Sequence, residues 1–557
     1  RCPAAAMPAQ RGPLVNRLAS LLERRFHASL AVLLLALLAL AWRNRFVLDD
    51  AFIVFRYAEN LVRGDGPVFN PGERIEGYTC FLYLMLIAAA MRVGLEPVAA
   101  SRAIGLLACA GSLLGAFRLG WLLSGSRNVG LLVMLVLGTN FTFSAFATGG
   151  LETQLHACLV TGCLALAAGE LLGPLPRVGR LAAVSALAGL ATLTRPDSPL
   201  LLGPAAGALA WRILAAPVGG RSLVMRLAAL ILPGIVLVGA WGVWRTVYYG
   251  DLVPNTFILK ALSPASPVRG LFYVHRFVSS YWLEAGIVLA LWCGRDILAA
   301  GGSAAQVVIV SLSLWALYLV QIGGDFMEFR MLVPALPLLA WLLVRTASVL
   351  EARARLGSAF IVVTLVGSLQ HALVYPRIDA PDDNESVYEL AAHLRGPREN
   401  WIGLGRALRR DLEADTTVWI ATTAAGAIPY YSGLRTVDML GPCDRWVARH
   451  GLPYTNVPGH RRVASLDYLV RRRVALVIGH PTPAPPGRRP LCRSDLGGVW
   501  PWGTSGEPPS ARSLVEIPVD GGLRILALYL TPHLRVEDAI ASRGWRLRRI
   551  ADCADEE

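Results

Sequence analysis

The chain has 557 residues, of which 54% are hydrophobic and only 17% charged, against about 25% in soluble proteins. Its mean hydropathy of +0.49 excludes an ordinary soluble domain. The net charge of +14 belongs to a chain with no helix-turn-helix, zinc-finger or aromatic RNA-binding pattern. Its plainer meaning is arginine beside lipid headgroups and in cytoplasmic loops, so no nucleic-acid partner is expected.

Apolar runs recur over 28–47, 79–95, 100–123, 128–147, 151–173, 180–194, 199–217, 226–248, 281–297, 304–322, 330–348 and 356–373. Most are long enough to cross a hydrocarbon core about 30 Å thick. Residues 1–27 read as a cytoplasmic tail, with 1–20 unstructured. Ala28–Trp42 also resembles a signal-peptide core ending in Ala39-Leu40-Ala41, but a chain with many later spans is expected to keep it as an anchor.

The run 79–95 is short and carries Arg92. If it lies in the outer interface, eleven spans remain. Arg127, Arg177, Arg180, Arg221, Arg226, Arg295, Arg345, Arg353 and Arg355 then all face the cytoplasm, as the positive-inside rule requires. The motifs around Asp49/Asp50, Glu152, Asp197, Asp251 and Asp325/Glu328 face outward with everything beyond 375. This gives a helical membrane module over 28–374 and an extracytoplasmic domain over 375–557.

The first external loop, 48–78, opens with two adjacent carboxylates, Asp49 and Asp50. Behind them Ala51, Val54, Phe55, Ala58, Leu61 and Val62 follow helical spacing, with Arg56, Glu59, Asn60 and Arg63 opposite, which predicts an interfacial amphipathic helix. One Asp suffices as an N-cap. The other, at an apolar boundary, gains proton affinity and suits a general base.

The remaining outward loops, "TGGLET", "LTRPDS", "YYGDLVPNTFILK" and "GGDFMEFR", each place charges at the mouth of a span. Taken singly, such charges are ordinary solvated or snorkelling residues. Together, Arg195, Arg245, Arg330 and Lys260 (the one lysine in the chain) are candidates to hold a phosphate. Candidates to hold the rest of a substrate are Arg56, Tyr57, Glu76, Tyr78, Glu152, Asp197, Asp251, Asn255 and Asp325.

Beyond residue 375 the pattern is α/β. Strands are predicted at 416–421, 474–480 and 523–530, with a helix over 465–473. Tyr430, Tyr431, Trp446, Tyr454, Trp500 and Trp502 are candidates to stack on acceptor sugars, with core packing the plainer reading. The nine cysteines form no C-x-x-C pair. Cys109, Cys158, Cys163 and Cys293 read as packing residues, and Cys443, Cys492 and Cys553 allow one disulfide of undetermined pairing.

The stretch "DDAFIVFRYAENLVRGDGPVFNPGERIEGYT", followed in order by "GLET", "TRPDS", "YYGDLVPNTF" and "GGDFMEFR", resembles the GT-C glycosyltransferases. The likeness is strongest to the terminal β-(1→2)-arabinofuranosyltransferases of mycobacteria, and "AGAIPYYSGLRTVDMLG" and "GHRRVASLDYL" extend it into the tail. The resemblance implies a multi-pass protein of the bacterial inner membrane. It further implies a sugar taken from a polyprenyl-phosphate donor and passed to a cell-envelope glycan, lipid or protein, with Asp49 or Asp50 as the catalytic carboxylate. A divalent metal (Mg, Mn or Ca) on Asp49, Asp50 and Glu152 is the less favoured option. The alternatives are a flippase of lipid-linked precursors, which would favour polar groups at the bilayer midplane, and an inactive GT-C scaffold.

Overall fold

The computed structural model describes residues 13–261, 266–375, 384–485, 491, 498–500 and 513–548. The chain runs through helices α1 (Pro13–Arg43), α2 (Asp49–Arg63), α3 (Phe81–Arg92), α4 (Pro97–Ser124), α5 (Arg127–Thr139), α6 (Phe141–Ala145), α7 (Thr153–Leu172) and α8 (Val178–Thr194). It continues through α9 (Pro199–Leu214), α10 (Gly220–Tyr249), α11 (Asn255–Ala261), α12 (Pro267–Ser280), α13 (Glu284–Trp292), α14 (Gly294–Ile322), α15 (Leu336–Ala354) and α16 (Gly357–Val374). Helix α1 begins at Pro13, so the part of the expected unstructured start that lies at 13–20 is helical.

Among the described residues seven helical segments are long and apolar enough to cross a membrane, and four shorter apolar helices accompany them. The protein is a multi-pass helical membrane protein. Helix α14 breaks at Gly302, whose φ of 54° suits glycine alone, and this turn separates the apolar runs 281–297 and 304–322. Helix α3 has 12 residues. At 1.5 Å per residue that is about 18 Å, too short for the hydrocarbon core. It packs beside α2 and α4, with Tyr83 Oη donating to the Gly150 carbonyl at 2.8 Å.

Past α16 come α17 (Val387–Arg395), α18 (Trp401–Asp411), β1 (Trp419–Thr422), α19 (Ala427–Ser432), β2 (Arg435–Asp438), α20 (Arg445–His450) and the strand pair β3 (Leu452–Pro453) and β4 (Arg462–Val463). Then follow α21 (Leu466–Arg471), β5 (Leu476–Pro483), β6 (Leu514–Pro518), β7 (Arg524–Tyr529), α22 (Leu534–Ser542) and β8 (Arg546–Arg548). One sheet runs in the order β2-β1-β5-β7-β6-β8. The β2-β1-β5 pairings are parallel and the others antiparallel. Strand β1 and the first half of β5, Leu476 to Gly479, are buried where they pair in parallel, as a parallel centre requires.

Helix α2 joins the two parts, and here the structure departs from the sequence reading. Of its polar side only Glu59 and Arg63, paired at 2.7 Å, reach the surface, while Arg56 and Asn60 are enclosed. Arg56 is buried and donates from Nε to the Phe69 carbonyl (2.7 Å) and from Nη2 to the Leu434 carbonyl (2.7 Å), with a further bond to the Pro429 carbonyl. Asn60 is buried against the carbonyls of Val68 and Phe69. The tail covers this face of α2, which is why a charged residue can sit inside it.

Candidate active site

A cavity of about 940 Å³ lies between the helix ends and the sheet. Asp49 and Asp50 from α2, Tyr78, Glu152, Arg195, Lys260, Asp325 and Arg330 contribute to its wall from the first part of the chain. His393, Trp401, Asp438, Tyr454 and His480 contribute from the tail. Loops far apart in sequence are thus brought to one end of the helices.

The two adjacent carboxylates have different environments. Neither caps α2, whose N-cap is Leu48. Asp49 instead receives the backbone N–H groups of Gly426 (2.9 Å) and Ala427 (2.7 Å), and so caps α19 of the tail. Burial raises its pKa and these two bonds lower it, leaving it at about 6. The Asp50 carboxylate has no hydrogen bond or ion pair among the described residues and opens onto the cavity. Burial lifts its pKa to about 7; Arg330 opposes this, and Asp49, Asp325 and Asp438 add to it. A carboxylate that is half protonated near neutrality and unengaged is suited to take a proton.

Opposite Asp50 stands a basic group. Arg330 binds Asp325 through Nε at 2.8 Å. Arg195 grips Asp197 through Nε (3.1 Å) and Nη2 (2.8 Å) and reaches Glu152 through Nη1 at 3.0 Å. Burial pushes the Asp197 carboxyl up, but Arg195 more than offsets it and holds it at about 2. Tyr318 Oη, which the sequence reading missed, donates to Asp197 at 3.2 Å. Lys260 is exposed to the cavity and has no ion pair among the described residues.

Other predicted residues stand elsewhere. Arg245 is buried in a pair with Glu76 (Nε to Oε2, 2.9 Å), and neither lines the cavity. Tyr57 donates to the Ile75 carbonyl at 2.8 Å inside the loop. Asn255 binds the carbonyls of Gly441 and Pro442 (2.8 and 2.9 Å), and Asp251 binds Arg445 and Arg449 (2.9 and 2.8 Å). Both dock the tail. Asp197 acts behind Arg195, and Arg56 is enclosed as described above. Glu328 is buried against His371 at 2.7 Å. Among the aromatic candidates, Tyr430 and Tyr431 pack on Phe52, Trp446 stacks on Tyr468 and Trp500 is buried; Tyr454 lines the cavity. Trp502 lies outside the described residues, as do Cys492 and Cys553, while Cys443 is a buried free thiol.

Of the three residues named for a metal, only Asp50 is unengaged, and one carboxylate does not make a site. Both oxygens of Asp49 are occupied by backbone N–H groups and Glu152 is paired with Arg195. The sequence reading also missed Asp438, which accepts from the N–H groups of Leu440, Gly441 and Cys443.

The architecture is that of the GT-C fold. ArnT from Cupriavidus metallidurans bound to undecaprenyl phosphate aligns with a TM-score of 0.56 over 91% of this chain and 99% of that one, at 14% identity. Its apo structure aligns at 0.52 over 93% and 100%, also at 14% identity. The sequence itself is similar to the terminal β-(1→2)-arabinofuranosyltransferases of Corynebacterium glutamicum and Mycobacterium tuberculosis. The first is 31% identical, over 54% of this chain and 48% of the relative; the second is 30% identical, over 53% and 52%. The chain spans about half the length of the curated relatives it matches. Residues 389–516 match the family described as Domain of unknown function (DUF8728).

Proposed function

We propose that this protein is a membrane glycosyltransferase. It takes a sugar from a polyprenyl-phosphate donor and passes it to a cell-envelope glycan, lipid or protein on the extracytoplasmic face of the bacterial inner membrane. The observation that carries the reading is the unengaged Asp50 carboxylate facing Arg330, Arg195 and Lys260 across one cavity. ArnT supports the lipid carrier, since its structure holds undecaprenyl phosphate. The relatives' name supports arabinofuranose as the sugar.

In the reaction, Asp50 takes the proton of the acceptor hydroxyl as its oxygen forms a bond to the anomeric carbon. The bond from that carbon to the phosphate oxygen breaks, and the leaving phosphate gains charge. Preorganised cations stabilise that charge at low cost, because they need no reorganisation during the step. Arg195 and Arg330 are held in place by carboxylates, while Lys260 is free to meet the phosphate. A direct displacement of this kind inverts the anomeric centre.

The test is transfer from a synthetic polyprenyl-phosphate sugar to an envelope acceptor. Asp50→Asn should cost about 10²–10⁴-fold in rate. Lys260→Ala should raise KM for the donor more than for the acceptor. Near wild-type turnover by Asp50→Asn would overturn the assignment of the base.

A further inference from the structure

A second group of side chains lies on the tail side of the cavity, apart from the acid and the cations. His393 at the end of α17, Glu399 in the following loop and His480 on β5 place one ligand atom each within 4.8 Å of one another. His393 Nδ1 is 2.7 Å from Glu399 Oε2, and His480 Nε2 is 3.7 Å from the same oxygen. These separations bracket the roughly 3.3 Å between neighbouring ligands of a tetrahedral ion whose bonds are about 2.0–2.1 Å long.

Two features show that the group is held in order. The other ring nitrogen of His393, Nε2, meets Glu385 Oε2 at 3.1 Å. A carboxylate behind the far nitrogen is the arrangement that fixes the tautomer and orientation of a metal-binding imidazole. Trp401 stacks on His393 at 4.7 Å and 10°, and meets the His480 ring edge-on at 5.5 Å and 85°. His480, Trp401 and Glu385 all line the cavity, so a fourth position opens into it.

We propose that His393 Nδ1, Glu399 and His480 Nε2 form a site for a zinc-class divalent ion, with Glu385 orienting His393 and an open position facing the cavity. Two imidazoles and one carboxylate favour zinc-class ions over Mg²⁺ or Ca²⁺, which take oxygen ligands. An ion there ties α17 to β5 and presents a Lewis-acidic position to an acceptor hydroxyl or a water. Without the ion, the same atoms share a proton.

Binding is measured on the full-length protein in detergent, stripped by a chelator and then titrated with Zn²⁺ against a chromophoric competitor, with bound metal counted by mass spectrometry. This readout does not depend on sugar transfer, so failure here leaves the glycosyltransferase reading untouched. The expected result is one ion per chain, with affinity lost in His480→Asn and His393→Ala. Glu385→Gln, which removes no ligand, should weaken binding about 10–100-fold. Zn²⁺ should raise the melting temperature of the wild type and not of His480→Asn; this arm stands if His393→Ala fails to fold. Binding well below one ion per chain, or equal affinity in wild type and His480→Asn, overturns the site and leaves a hydrogen-bonded imidazole between two glutamates.

Discussion

Asp49 and Asp50 are neighbours in sequence with opposite employment, and their titration should tell them apart. Asp50 has a folded-state pKa of about 7, above the ordinary 3.8. Between those values the folded protein holds the proton more tightly than the unfolded chain, so stability falls as pH rises from about 4 to 7 and levels off above. The deprotonated form is the base, so the rate of the wild type should drop about tenfold per pH unit below 7. Asp50→Asn should therefore lose turnover at every pH yet melt higher than wild type at pH 8, by the equivalent of about 1–3 kcal/mol, and match it near pH 4. Asp49→Asn loses one of two cap bonds, a cost of about 1 kcal/mol that offsets the relief from its own pKa of about 6. It should therefore gain less at pH 8 than Asp50→Asn, with activity following the folded fraction. Thermal melts and pH–rate profiles of both variants check this. A common profile for the two would remove the distinction between base and cap.

At the scale of elements, the seat of α19 on α2 decides whether the cavity exists. Gly426 lies so close to Asp49 that a Cβ on it would stand 1.9 Å from the Asp49 carbonyl oxygen. Backbone cannot yield to that, so Gly426→Ala should destabilise the seat by about 1–3 kcal/mol and lower activity through folding. The buried pair of Glu76 and Arg245 joins the first loop to the end of α10, and Glu76→Ala should cost about 3–5 kcal/mol by leaving Arg245 uncompensated. A chemical denaturation midpoint shifted in both variants, with donor KM preserved in the folded fraction, is the expected outcome. The same contacts explain what the sequence made visible. The helix after Asp50 and the strands β1, β5 and β7 were readable because periodicity and apolar runs are local signals. Arg245 looked like a phosphate ligand because its partner Glu76 is distant in the chain, and charge type alone does not reveal pairing. His393 and His480 carried no local motif; only the tertiary fold of the tail places them together.

For the whole molecule, the proposed reaction requires the cavity to lie on one defined face of the membrane. Asp49 meets Gly426, Glu73 pairs with Arg472, and Asp251 pairs with Arg449, so the first loop and the tail share one end of the helices. The opposite end collects arginines at the turns: Arg177 and Arg180 beside Glu170, Arg212 on the Pro174 carbonyl, and Arg353 paired with Asp296. Arg127 lies over the rings of Phe26 and Trp121 at the same end. By the positive-inside rule an excess of arginine at short turns predicts that this end faces the cytoplasm. Counting α13 and the two limbs of α14 as one descent and one return, and keeping α3 at the surface, we propose eleven crossings, a count that would bring the cavity and tail outside. Reporter fusions check this at three points. A fusion at residue 400 should report the extracytoplasmic side and one at 217, between α9 and α10, the cytoplasm. The decisive fusion is at Gly94, just past α3: if α3 stays at the surface it reports the same side as residue 65. An opposite reading at Gly94 would make α3 a true span and put Asp49 and Gly426, which share a hydrogen bond, on opposite faces, which overturns the eleven-crossing count.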